Sequence, residues 1–218
     1  MSLPTLSVLR QRFNYLIGDT TSTTSGIIDS HLNSAILDIT NAYPFSWNVK
    51  QTTGNIIGSG PYYTFSLVTD YNPKWHITDA RIVQIGVGND NIFQEVVPQD
   101  RDVYALQSYK YYLLYDTVAN AYTFNTPESS GTVTYQYNFI PSTLINPADI
   151  CIIPDVEAVC YLAASKNWLT DERNTSLMTL YKQEASTRIQ SLWQTDNAFG
   201  PTPSVGSPVD DNLYLTRR

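Results

Sequence analysis

Helical periodicity at both ends of the chain and two-residue alternation between them predict an α+β fold. N- and C-terminal helices form one helical bundle, an antiparallel Tyr-rich β-sheet or small barrel is inserted between them, and an extended C-terminal tail follows. Apolar residues recur at helical spacing from residue 6 to 39 and again from 156 to 192, and alternate with polar ones between 63 and 139. Eleven of the 16 tyrosines lie between Tyr62 and Tyr137, which marks the middle as sheet. The boundaries read as 1–47 and 150–193 for a discontinuous helical body, 48–149 for the β insert and 194–218 for the tail. A chain of 218 residues is long enough to bury a real core in this arrangement.

The first helix carries Leu6, Leu9, Phe13 and Leu16 on one face, with Gly18 placed to stop it in a left-handed cap. A second stripe of Ile28, Leu32, Ala35, Ile36 and Ile39 ends at Pro44, and Asp29 and Asp38 on its flanks read as solvated. From Trp47 the period becomes two. Tyr63, Phe65 and Leu67 alternate with polar partners, as do Val83, Ile85 and Val87. The stretch GVGNDN at 86–91 is a turn leading into a strand at 92–97. PQDRDVYAL follows as a short helical turn capped by Asp100.

Residues 110–115 and 122–124 then flank a turn at 118–121. The clearest strand is GTVTYQYNFIP, with Val133, Tyr135, Tyr137 and Phe139 on one face. Thr132, Thr134, Gln136 and Asn138 line the other, the pattern of a sheet wet on one side. Pro154-Asp155 opens the next helix, with Asp155 as its cap or first-turn acid, and the buried side is Val156, Val159, Cys160 and Ala163, running toward Trp168. Asn174 caps a last helix that ends near Trp193, with Leu177, Leu180, Tyr181, Ile189 and Leu192 as its stripe.

Composition excludes several functions. A net charge of −7 and 13 scattered Lys and Arg cannot neutralise a phosphate backbone, so sequence-independent DNA binding is not expected. No run of 18 apolar residues occurs, and the N-terminus lacks the pattern of a signal peptide. Cys151 and Cys160 fit no metal spacing and read as reduced, packed thiols. Only His31 and His76 are near-neutral bases, and no zincin, phosphate-loop, nucleophile-elbow or EF-hand pattern is present. Gly58-Ser59-Gly60 reads as a loop, Asp100 and Asp102 as a cap and a surface charge, and Asn174-Thr175-Ser176 as a helix start. The chain is read as no enzyme, with no cofactor and no metal.

Two stretches set the chain beside a known group. LNSAILDITNAYPFSW is a helix turning into the β region. GTVTYQYNFIPSTLINPADICIIPDVEAVCYLAASKNWL is a strand, a Pro-Leu loop, an Asp, then Pro-Asp opening an alanine-containing helix. In order and spacing the chain resembles the head-to-tail adaptor proteins, or connector rings, of tailed bacteriophages. The resemblance implies a homo-oligomeric ring, twelvefold to match the portal, that binds the phage portal protein and receives a tail or nozzle protein. It implies a virion protein of the head–tail neck, assembled in the host cytoplasm, with DNA passing its lumen without specific binding and no membrane partner. The alternative function class is a β-rich tail-associated module recognising a receptor or glycan through aromatic rings.

Within this frame the tail acquires a purpose. Pro201, Pro203 and Pro208 stiffen its lead toward an extended form. Leu213, Tyr214 and Leu215 form an alternating tip suited to strand addition or pocket anchoring. Arg217 and Arg218 add charge-assisted contacts to acidic partner groups. These five are the expected portal-docking residues. Tyr109, Tyr111, Tyr112 and Tyr115 are too dense to be all core and are expected at a subunit or tail interface.

Overall fold

The computed structural model describes residues 3–18, 25–58, 62–82, 91–104, 107–129, 131–167 and 175–199. In chain order its elements are α1 (Leu6–Ile17), α2 (Ser25–Ala42), β1 (Val49–Ile56), β2 (Tyr63–Ser66), β3 (Thr78–Ile82), β4 (Asn91–Ile92) and β5 (Gln94–Glu95). There follow α3 (Arg101–Tyr104), β6 (Lys110–Asp116), β7 (Ala121–Thr126), β8 (Gly131–Asn138), α4 (Val156–Asn167) and α5 (Thr175–Phe199). Short 3₁₀ turns occupy Ser46–Asn48 and Pro98–Asp100. Terminal helices thus flank an inserted β region, and the fold is α+β.

The helices share one hydrophobic cluster, and α4 is its centre: α1, α2 and α5 all pack on it. Ala158, Val159, Cys160, Ala163 and Ala164 of α4 are fully buried. A helix touched on several sides needs small side chains, because each extra methylene would hold a neighbour away. Asp155 caps α4 as the sequence predicts, its Oδ1 accepting Glu157 N–H at 2.8 Å and Ala158 N–H at 3.1 Å. Each neighbour is also tied to α4 by charge: Arg12 of α1 to Glu157 at 2.6 Å, Asp38 of α2 to Lys166, and Arg188 of α5 to Asp155 at 3.3 Å.

The segment returning from the sheet is clipped to the helices by one side chain. Asn33 donates to Asp29 O and Leu144 O at 2.9 and 3.0 Å and accepts Leu144 N–H at 2.8 Å. The N-terminus lies beside the same segment, where Leu6 N–H meets Asp149 O and Cys151 N–H meets Pro4 O.

The β region is two four-stranded sheets rather than one. Their strand orders are β1-β8-β3-β4 and β2-β7-β6-β5. All pairings are antiparallel except β5 with β6, which is parallel. The sheets share a second hydrophobic cluster rich in aromatic rings. Phe65 stacks on Phe124 at 4.8 Å and leans on Tyr135 at 5.7 Å, while Tyr111 stacks on Phe124 at 4.4 Å. Such offset and edge contacts add to burial about 0.5–1.5 kcal/mol per pair. Phe65 covers the middle of β1, where a Cβ on Gly54 would fall 2.2 Å from its ring.

Several expectations are met in detail. Gly18 caps α1 at φ 69°, and the five apolar residues of the α2 stripe are all buried. Val133, Tyr135 and Tyr137 point into the second cluster. Others are corrected. Asp29 is not free in solvent: Arg10 donates two hydrogen bonds to it, at 2.7 and 2.6 Å. Asp38 is exposed, as read, and also pairs with Lys166. The last helix runs six residues past Trp193, to Phe199, and its buried line passes through Ala185 and Ile189. Leu177 and Leu180, expected in that line, are exposed because the first turns of α5 have no apolar neighbour covering that side among the described residues.

The polar face of β8 is half-buried rather than wet. Asn138 is buried and donates to Asn48 O at 3.3 Å, at the joint between sheet and helices. The strand expected at 83–87, most of its turn, and the Trp168 and Asn174 readings fall outside the described residues. A strand lies just before it, β3, paired with β4 through Arg81↔Ile92 and Ile82↔Asn91.

Gly54→Ala should lower stability by about 1–3 kcal/mol, the usual cost of forcing volume into a packed core. Urea unfolding should show a lower midpoint at unchanged slope; an unchanged midpoint would mean that Phe65 moves aside freely.

Candidate interaction surface

Several ionisable side chains among the described residues are engaged in holding elements together. Arg10–Asp29, Arg12–Glu157 and Lys166–Asp38 join helices, and Lys50–Asp70, at 2.6 Å, pins β1 to the loop before β3. Burial disfavours the charge on Asp70, but hydrogen bonds from Lys50 and Tyr137 outweigh it and hold the carboxyl below its ordinary range. No cluster of three metal-ligating side chains exists among the described residues.

The two histidines sit in different clusters. His31 stacks on Phe13 in the helical body, 6.5 Å between centroids, and burial with the nearby Lys166 lowers its pKa. His76 meets Glu95 Oε2 at 3.0 Å, and this hydrogen bond raises its pKa. The thiols are free and buried. Burial pushes Cys151 up to about 11 and also raises Cys160, whose Sγ–H donates to Leu9 O, so neither is poised as a nucleophile.

The four tyrosines expected at an interface divide. Tyr111 is buried in the aromatic cluster, with its hydroxyl donating to Glu95 Oε2 at 3.1 Å, and Tyr112 is buried edge-on against Tyr62. Tyr109 is half-buried against Phe93 in a left-handed backbone, φ 58°. Tyr115 alone is half exposed, at 51%, near the tip of the β6–β7 hairpin. Strand alternation explains this only in part, since adjacent Tyr111 and Tyr112 are both buried. One faces the core and the other lies under Tyr62. That second cover is a tertiary contact with no local signal.

Exposed apolar side chains mark surface available to partners. On α1, Tyr15 is 76% exposed with Arg12 over its ring, and Val8, Gln11, Arg12, Tyr15 and Val156 line a shallow groove of about 340 Å³. Leu177 and Leu180 stand out from α5. Val118, 95% exposed, crowns the β6–β7 turn, which Asp116 holds rigid by accepting Val118 N–H and Ala119 N–H. The helical positions were present in the sequence as apolar residues, but which face α4 would cover was not.

The tail residues Leu213, Tyr214, Leu215, Arg217 and Arg218 lie outside the described residues. Their point of departure is within them. Asp196, in the last turn of α5, accepts Ser46 N–H at 2.7 Å and the Ser46 hydroxyl. Trp193 stacks on Tyr43 at 5.1 Å and meets Phe45 edge-on. The end of α5 is therefore fixed beside the 3₁₀ turn from which β1 starts, at the joint of helices and sheets.

The His76–Glu95 pair gives a testable pH dependence. A raised folded-state pKa means that the pair's contribution is complete below the ordinary value near 6.5 and is lost as pH rises through the shifted value. His31 acts in the opposite sense, so the comparison is between wild type and His76→Gln. Their difference in urea midpoint should be larger at pH 5.5 than at pH 8.5, and small throughout because the ring is largely exposed. Equal differences at both pH values would show that the pair is not formed in solution.

The family model described as SU10 adaptor protein matches residues 4–206, and the chain belongs to that family of phage head–tail adaptors. No curated protein matches it.

Proposed function

We propose that this adaptor builds a homo-oligomeric ring, twelvefold to match the portal, that joins the portal to a tail or nozzle protein while DNA passes through. The match over residues 4–206, which spans both helical ends and the β insert, carries this reading. Membership implies a structural virion protein that interacts with portal or tail proteins. The helical body, 1–47 with 150–193, supplies the ring wedges, and the insert, 48–149, faces the next component through its hairpin tip and Tyr115.

The tail docks on the portal through Leu213, Tyr214, Leu215, Arg217 and Arg218. Its root supports this: a helix end fixed by Asp196 and Trp193 launches the tail from a defined place rather than from a loose terminus. A net charge of −7 favours passage of DNA over adhesion to it. The glycan-binding alternative is less favoured, since among the described residues most tyrosine rings of the insert pack in or against its core.

The test is mixing with the portal of the same phage. Full-length protein and a chain ending at Phe199 are added to portal rings, then sized by light scattering and imaged. Only the full-length chain should give a stoichiometric stacked ring. Equal binding of both chains would remove the tail from the contact, and no binding of either would remove portal bridging itself.

A further inference from the structure

β1 is an eight-residue strand at the edge of its sheet, with β8 on one side. Phe139 N–H donates to Asn48 O, and Asn48 and Phe139 are opposite one another when the β1–β8 register is extended by one position. Even-numbered residues of β1 therefore bond β8, and Val49, Gln51, Thr53 and Asn55 turn their backbone groups outward. Ile57 confirms the phase: on that outer side it exchanges two bonds with Thr64. That single bridge is where β2 leaves β1, and no described strand covers the outer edge before it.

Exposed edges are ordinarily blunted by lysines, proline or bulges. β1 runs in unbroken register with β8, has no proline, and carries one lysine, Lys50, which is held by Asp70. Gln51, Thr53 and Asn55 are exposed, neutral and free of bulk charge. An edge of this kind is complementary to one thing, an extended peptide strand.

We propose that the outer edge of β1 accepts an extended strand, and that its occupant in the free protein is the chain's own C-terminal tip, Leu213, Tyr214 and Leu215. The place where the structure ends argues for this occupant. Phe199 closes the helix whose Asp196 is bonded to Ser46, three residues before β1. The fourteen residues from Phe199 to Leu213 reach at most about 45–50 Å at roughly 3.3–3.6 Å each. β1 is about 26 Å long at about 3.3 Å per residue, so the whole edge is within range. A tether this short gives a local concentration on the order of millimolar, which favours the chain's own tip over a second copy. Paired there, the tip covers an edge that would otherwise recruit strands from other chains.

The second half of the inference rests on the portal-docking reading: a portal that takes the tip must free β1. Amide exchange separates the two. Gln51, Thr53 and Asn55 should exchange at least about tenfold more slowly in the full chain than in one ending at Phe199. A peptide of residues 209–218 should restore the protection to the shortened chain. Equal rates in the two chains overturn the contact. Thr53→Pro removes an outward N–H and leaves the β8 ladder whole, so protection should fall at Gln51 and Asn55 and persist at even-numbered positions. Should that variant not fold, the truncation and the peptide decide alone.

Protection that rises with protein concentration would give the edge to a second copy and overturn the own-chain occupant. Portal rings that bind the full chain should speed exchange at β1, and slow exchange in the bound state would overturn release. Rings that fail to bind, with slow exchange retained, sink the docking reading and leave the β1 contact standing.

Discussion

The close packing around α4 is the constraint on which the rest depends. Three helices from distant parts of the chain meet on one helix, and they can approach because Ala158, Cys160, Ala163 and Ala164 offer little beyond Cβ. Leu6, Leu9 and Phe13 of α1 and Leu32, Ile36 and Ile39 of α2 supply the bulk in the same cluster. Large against small is how a core reaches solid density without voids. A longer side chain at Ala163 would not perturb α4 alone; it would part helices from both sides of the β insert.

The joint between helices and sheets is built on a different principle. Phe45, Trp47, Tyr43 and Trp193 form a stack that turns α2 into β1 and fastens the end of α5. Two polar side chains find partners across the joint, Asn72 on Asn41 and Asn138 on Phe45 O and Asn48 O. Asn48 keeps a buried side-chain amide without a partner among the described residues, a cost of about 1–3 kcal/mol that the surrounding rings offset. One place therefore joins the bundle, the first strand and the start of the tail, which suits a protein whose work is to transmit position between neighbours.

For an adaptor, what remains outside the core matters more than what is in it. The ion pairs lie between the protein's own elements, so they define a rigid body rather than a reactive centre. Among the described residues, apolar groups on α1, on the first turns of α5 and at the β6–β7 tip are exposed, and no strand pairs with the outer edge of β1 before Ile57. These are surfaces for association. They differ in kind, one set complementary to side chains and the other to a strand.

Much of this was legible in the sequence. Helical and strand periods located the terminal helices, the hairpin and β8, because those elements bury one face and period reports faces directly. Asp155 and Gly18 were readable as caps because capping chemistry is local. The change of period at Trp47 put the start of the β region at β1, but KQTTGNI has no apolar alternation to bound the strand; its inner face is covered at Gly54 by a ring from Phe65. Nor could alternation say that Tyr111 and Tyr112 would both be buried, that Asp29 would find Arg10, or that Leu177 and Leu180 would stand exposed. The sequence by itself determined the helical ends, the β character of the middle and the caps that local chemistry sets. Tertiary structure alone decided which faces are covered, which charges meet and which edge stays open, because those depend on groups brought together from distant parts of the chain.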